Sequence, residues 1–123
     1  MNDTDDSSRL QYLADRAAIQ DVLARYFQGL DRCSKELVRS CFTEDVHVHY
    51  DKRRPVSGID EVMSHFRTFQ RMEKGLMKVT THFMGNLNFK YIRGDIAETE
   101  MNAIAFMVEP ANLMAMRSLR YMD

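Results

Sequence analysis

Apolar residues fall at helical spacing over the first third of the chain. Leu10, Leu13, Ala17, Ile19, Val22, Leu23, Tyr26, Phe27 and Leu30 form one stripe, and Asp15, Arg16, Asp21 and Arg25 lie off it. The spacing predicts one long helix that starts after a cap at Ser7 or Ser8 and ends near Gly29. Residues 1–8, MNDTDDSS, read as a solvated tail, and residues 9–123 as one domain. Ser34–Cys41 predicts a shorter helix with Leu37, Val38 and Cys41 on one side. Over Asp45–Asp51 the period changes to two: Val46, Val48 and Tyr50 alternate with His47, His49 and Asp51, which predicts a strand. After the polar Lys52-Arg53-Arg54-Pro55 loop, Gly58 opens a third helix, Ile59 to about Met72, with Val62, Met63, Phe66 and Phe69 as its apolar face. Two long strands follow. The first, about Val79 to Ile92, sets Val79, Thr81, Phe83, Leu87, Phe89 and Tyr91 on one side. Arg93-Gly94-Asp95 marks a hairpin turn, and the second strand runs from about Ile96 to Val108. Glu109-Pro110-Ala111-Asn112 breaks it, and Met114–Met122 reads as a further strand. Helices gathered first and strands last predict an α+β fold, with helices on one face of an antiparallel sheet.

Composition narrows the function classes. The 123 residues suffice for one core. Lys and Arg number 17 against 18 Asp and Glu, a net charge of -1, so the chain carries no electrostatic footprint for nucleic acid and no polybasic excess for a membrane surface. No apolar run approaches the ~20 residues of a membrane span. The N-terminus lacks the positive n-region and apolar h-region of a secretory signal. Cys33 and Cys41 form no disulfide framework, and a reducing cytoplasm is the default expectation. The 10 methionines, with no tryptophan, suit irregular apolar space, either core or pocket wall.

Several polar residues sit where chemistry is possible. Asp31 follows the long helix, where a carboxylate opposes the negative end of the helix dipole and calls for a compensating cation or histidine. Tyr26 lies on the apolar stripe, and a buried tyrosine needs a partner for its hydroxyl. His82, in Thr80-Thr81-His82-Phe83-Met84-Gly85, titrates near neutrality as a residue type and is suited to moving protons. Gly85 marks a bulge that re-aims it. His47, His49 and Asp51 form an H-x-H-x-D pattern that reads equally as a solvated strand face or a partial metal site without evident further ligands. There is no G-x-S-x-G, H-E-x-x-H or phosphate-cradling loop.

Taken together, these segments resemble one family. Ala17-Ala18-Ile19-Gln20-Asp21-Val22-Leu23-Ala24-Arg25-Tyr26-Phe27, followed by Gly29-Leu30-Asp31, resembles the first helix of SnoaL-like proteins of the nuclear-transport-factor-2-like (NTF2-like) superfamily. Phe42-Thr43-Glu44-Asp45-Val46 resembles the family's lead into its first strand, and Ser57-Gly58-Ile59-Asp60-Glu61-Val62 its next helix entry. Thr81-His82-Phe83-Met84-Gly85-Asn86 resembles its H-x-x-x-N strand. Leu119-Arg120-Tyr121-Met122-Asp123 resembles its G-R-Y-x-D strand, with Leu119 in place of glycine. The resemblance implies a curved antiparallel sheet wrapped against N-terminal helices into a cone with an apolar cavity. Scytalone dehydratase, bile-acid 7α-dehydratase and lindane dehydrochlorinase belong to this branch, and all perform β-elimination without a cofactor.

The resemblance further implies a catalytic pair at Asp31 and His82, with Tyr26 and Tyr50 polarising the substrate. The expected lining is Met84, Asn102, Phe106 and Phe66. The acid or histidine that the dehydratases carry on the next strand falls near Ala105 or Phe106, leaving Asn102 as the nearest inward polar group. The family's usual final strand would follow Asp123, and its lack here leaves two expectations: a sequence truncated at that point, or a partner subunit that covers the sheet edge. The resulting expectation is a cytoplasmic, cofactor-free and metal-free lyase or isomerase, a homodimer or other homo-oligomer, acting on a small hydrophobic cyclic molecule. Two alternatives are a binding module that does no chemistry and a metal site at His47, His49 and Asp51.

Overall fold

The computed structural model describes residues 3–111 and 113–122; Met1 and Asn2 of the expected tail, Asn112 of the expected break and Asp123 of the closing motif lie outside them. Helix α1 spans Asp3–Asp31. It therefore begins inside the segment read as a solvated tail. Asp5 and Asp6 favour the positive end of the helix dipole, and Asp5 pairs with Arg9 one turn on at 3.2 Å. This first part gains little from packing: Leu10 and Leu13 are 68% and 59% exposed, whereas Tyr26, Phe27 and Leu30 are buried.

The end of α1 is set by a Schellman motif. The Ser34 N–H donates to Gly29 O and the Cys33 N–H to Leu30 O, with Cys33 in the left-handed region at φ +52°. Ser34 then caps α2 (Lys35–Arg39), its hydroxyl accepting from the Leu37 N–H. Gly29 makes this tight return possible. A Cβ there would lie 2.7 Å from Val38 Cγ2, and Val38 is fully buried.

Strands β1 (His47–Val48) and β2 (Val56–Ser57) form a short antiparallel pair. The strand expected over 45–51 is thus only two residues long, because Asp51 adopts φ +47° in the turn that follows. The third expected helix is two, α3 (Ile59–Ser64) and α4 (Arg67–Glu73). Side chains compete for the backbone at the joint. The Ser64 hydroxyl donates to Glu61 O, the Gln70 amide caps Ser64 O, and Arg53 reaches His65 O. Phe66, extended at φ −72° and ψ 106°, is released from helical geometry and buried.

Strands β3 (Val79–Arg93), β4 (Ile96–Val108) and β5 (Met114–Met122) form a curved antiparallel sheet in that order, the helices packing on one face. Arg93 pairs with Ile96 across a two-residue turn that Gly94 opens at φ +56°. Met84 pairs with Ala103 but Leu87 with Met101, so Gly85 and Asn86 together oppose Asn102. This is the bulge expected at Gly85, and a Cβ there would lie 2.7 Å from Asn102 O. It also corrects the alternation. Side-chain parity inverts at the bulge, so Leu87 and Phe89 are half-buried while Val79 and Phe83, once placed on the same side, are exposed. The core lies between the helices and the sheet face bearing Met101, Ala103 and Ala105.

Candidate functional site

The last turn of α1 projects Phe27, Leu30 and Asp31 towards β3. Phe27 and Leu30 are 3% exposed, and each such burial contributes about 1.5–3 kcal/mol. They hold the helix end, and hence Asp31, in place. His82 lies on β3, an edge strand, paired on its other side with Ala105. Its outward backbone N–H would face no strand, and Asp31 meets it: the N–H donates to Asp31 Oδ2 at 3.0 Å. The ring is bonded to the same carboxylate, His82 Nδ1 lying 2.7 Å from Asp31 Oδ1. The side chains are 8% and 24% exposed respectively. A carboxylate only accepts, so the imidazole donates through Nδ1–H and Nε2 carries the lone pair. No buried side-chain nitrogen or oxygen among the described residues lacks a hydrogen bond, and the ring's one bond is at Nδ1, so Nε2 remains accessible.

The two contacts to Asp31 answer the unfavourable place of a carboxylate at a helix C-terminus. The dipole costs about 0.3–1 kcal/mol. Hydrogen bonds to a charged group contribute about 1.5–3 kcal/mol each. A further contact holds the ring. Phe27 stacks against it, with centroids 5.3 Å apart and planes 20° apart, and Tyr121 meets Phe27 edge-on at 5.5 Å. Phe27 and Asp31 are one turn apart on α1, so one helix face supplies both the carboxylate and the stacking ring.

Tyr26 and Tyr50 also come together, their hydroxyls sharing a hydrogen bond of 3.2 Å. Tyr26 is surrounded by rings, with Phe27 at 5.3 Å, Phe42 at 5.8 Å, Phe66 at 6.2 Å and Tyr121 at 6.4 Å. Phe66 also meets Tyr50 at 6.0 Å. An aromatic layer thus joins the imidazole to the two hydroxyls.

The other expected lining residues are placed differently. Asn102 is exposed on the far face, where Arg120 Nε donates to its Oδ1 at 3.3 Å. Phe106 meets the exposed Phe83 edge-on at 5.8 Å, also on that face. Met84 pairs with the inward Ala103 and so shares the face of His82, but it is 40% exposed, next to the bulge. The reason is β4 parity: Met101, Ala103 and Ala105 take the inward positions, so Asn102 and Phe106 alternate outward. The H-x-H-x-D pattern assembles nothing comparable. His47 Nδ1 lies 2.7 Å from Ser57 Oγ, and among the described residues no group of three His, Cys, Asp or Glu is disposed to hold a metal.

Sequence reasoning did not single out Phe27 or Tyr121 for the site. The signal for Phe27 was its spacing from Asp31. Tyr121 stood inside the closing motif without an assigned role.

The order of elements agrees with the sequence match. The chain belongs to the SnoaL-like domain family. The match covers residues 11–123. No curated protein matches the chain. Among solved structures, the fold is similar to that of a protein provisionally named a scytalone dehydratase, from Novosphingobium aromaticivorans DSM 12444, at 19% identity, 91% coverage of this chain and 73% of that one, with a TM-score of 0.79. It is similar to the type 3 hexachlorocyclohexane dehydrochlorinase LinA of Novosphingobium barchaimii LL02, at 18% identity, 93% and 77% coverage and a TM-score of 0.76. An NTF2-like protein with a cystatin-like fold, from Novosphingobium aromaticivorans, shares 20% identity over 98% of this chain and 79% of that one, with a TM-score of 0.75. At these identities the likeness is one of fold. Among the described residues no helix is long and apolar enough to cross a membrane.

Proposed function

We propose that this SnoaL-like protein is a lyase or isomerase that moves a proton on a small hydrophobic cyclic substrate without a cofactor. The observation that carries the reading is the 2.7 Å contact between His82 Nδ1 and Asp31 Oδ1, which leaves Nε2 as a base of fixed tautomer. Nε2 takes a proton from a carbon next to a carbonyl. The C–H electron pair becomes the new double bond, and a β-hydroxyl leaves, receiving the proton from the imidazolium and departing as water. Returned to another carbon, the same proton gives isomerisation. Asp31 stabilises the imidazolium, and the Tyr26–Tyr50 hydroxyls hold the carbonyl as negative charge develops. The comparison with the dehydrochlorinase and the provisionally named dehydratase supports this class of chemistry.

A panel of cyclic β-hydroxy ketones tests it. Wild type is expected to release water from one of them, and His82→Ala to lose about 10²–10⁴ of that rate with an unchanged circular dichroism spectrum. Unchanged turnover in His82→Ala would end the reading.

One observation favours a second reading, a pocket that binds an apolar ligand and does no chemistry. The buried inward positions of β4 are Thr99, Met101, Ala103 and Ala105, none of them an acid or a histidine. Tight capture of a ligand with no product on long incubation would select it. We also assign the protein to the cytoplasm and to a homo-oligomer. The exposed apolar residues of the convex sheet face, Phe83, Ile104 and Met116, support the latter.

A further inference from the structure

We infer that Arg117 anchors a single carboxylate on the ligand, so that the ligand of this site is an apolar ring bearing one carboxylate. The inference rests on the reading above only for which atom reacts. Cross-strand register carries it. His82 pairs with Ala105, and Ala105 with Arg117, so the three lie in one row across β3, β4 and β5. Directly opposed residues of antiparallel strands project to the same face. Ala105 is 2% exposed on the face that meets the helices, so Arg117 belongs to the face of His82, not to the convex side. Leu119 and Tyr121 share that parity and pack against the core, while Arg117 itself is exposed, which puts it at the mouth of the concave face.

Arg117 stands two strands from His82, about 10 Å at ordinary strand spacing. The residue between them is alanine, so no long side chain of β4 separates them. Arg120 is different: it faces the convex side and is held by Glu100 at 3.6 Å and Asn102 at 3.3 Å. Arg117 has no such partner among the described residues. A guanidinium fork matches a carboxylate with two parallel hydrogen bonds. Beside the imidazole the surroundings are aromatic, with Phe27 against His82 and Tyr121, of the same parity as Arg117 on β5, against Phe27. A ring bound from the mouth of this face would set its carboxylate on Arg117 and its reactive edge towards Nε2. One fork balances one negative charge. A dianionic phosphate in the same place is left undercompensated beside the Asp31 carboxylate.

The test uses benzoate, methyl benzoate and phenyl phosphate with the intact protein, following the His82 imidazole resonances by NMR. Benzoate is expected to shift those resonances at saturation. Arg117→Ala is expected to weaken benzoate at least about tenfold and leave methyl benzoate unchanged, and Arg117→Lys to fall between, keeping the charge and losing the fork. Equal benzoate affinity in wild type and Arg117→Ala would overturn the assignment, as would binding that leaves His82 unperturbed, or tighter binding of phenyl phosphate than of benzoate. Benzoate has nothing to eliminate, so the outcome is independent of turnover. An inactive protein that binds benzoate through Arg117 keeps the anchor and loses the catalytic reading. An active protein whose Arg117→Ala variant retains benzoate keeps the reading and loses the anchor.

Discussion

Asp31 serves two donors of one residue at once, the backbone N–H and the ring N–H of His82. An amide cannot do the same, since one of its two ends is a donor. Asp31→Asn is therefore expected to lower stability by about 1–3 kcal/mol through the donor left without an acceptor. Denaturant unfolding with equal m-values checks this. The same variant is expected to lose proton-transfer activity as heavily as His82→Ala. The partnership was half legible in the sequence. A carboxylate after a helix is electrostatically uncomfortable, and that discomfort asks for a donor. Which donor, across a separation of 51 residues, depended on the helix end meeting the outer edge of β3.

At the scale of elements, two glycines set the geometry that brings the site together. Gly29 lets α2 return against α1, and Gly29→Ala forces a Cβ to within 2.7 Å of Val38 Cγ2. The expected loss is about 1–3 kcal/mol. Val38→Ala in the same chain is expected to recover part of it, a coupling that a double-mutant cycle measures. At Gly85 the obstacle is backbone, Asn102 O at 2.7 Å, which no side-chain change relieves. Gly85→Ala is expected to destabilise the bulge and to broaden or shift the His82 amide resonance, three residues away along the same strand. The bulge itself was readable from a glycine inside a strand pattern. Its effect on parity was not. One inserted residue moves the side chains that follow it to the other face, so the expected grouping of Phe83 with Leu87 failed. The inward placing of Asn102 failed because Met101 and Ala103 take the inward positions of β4. The single third helix failed for another: Ser64, Gln70 and Arg53 offer the backbone partners that helical spacing cannot reveal.

Across the whole molecule, burial is uneven, and the site sits where it is densest. Phe27 touches His82, Tyr26 and Tyr121 together. Phe27→Ala is expected to cost about 3–5 kcal/mol. Leu13→Gln, on the exposed first part of α1, is expected to stay within about 0.5 kcal/mol of wild type. Thermal unfolding of the two variants side by side checks both. The convex sheet face belongs to the same scale. If the protein self-associates there, Phe83→Ser with Ile104→Ser is expected to lower the sedimentation coefficient towards that of a single chain; an unchanged value would place any association elsewhere.

Local order determined a good part of this protein in advance. The period of the apolar residues set the type of most elements, because burial on one face imposes 3.6 on a helix and two on a strand. The hairpin at Gly94 and the further strand at Met114–Met122 followed from turn chemistry and alternation. Tertiary structure decided what faces what. The stacking of Phe27 on His82, the meeting of the Tyr26 and Tyr50 hydroxyls, and the row from His82 through Ala105 to Arg117 all depend on how separate elements meet and on strand register. Those are set by packing between distant segments, and a periodic pattern contains no coordinate for the distance between them.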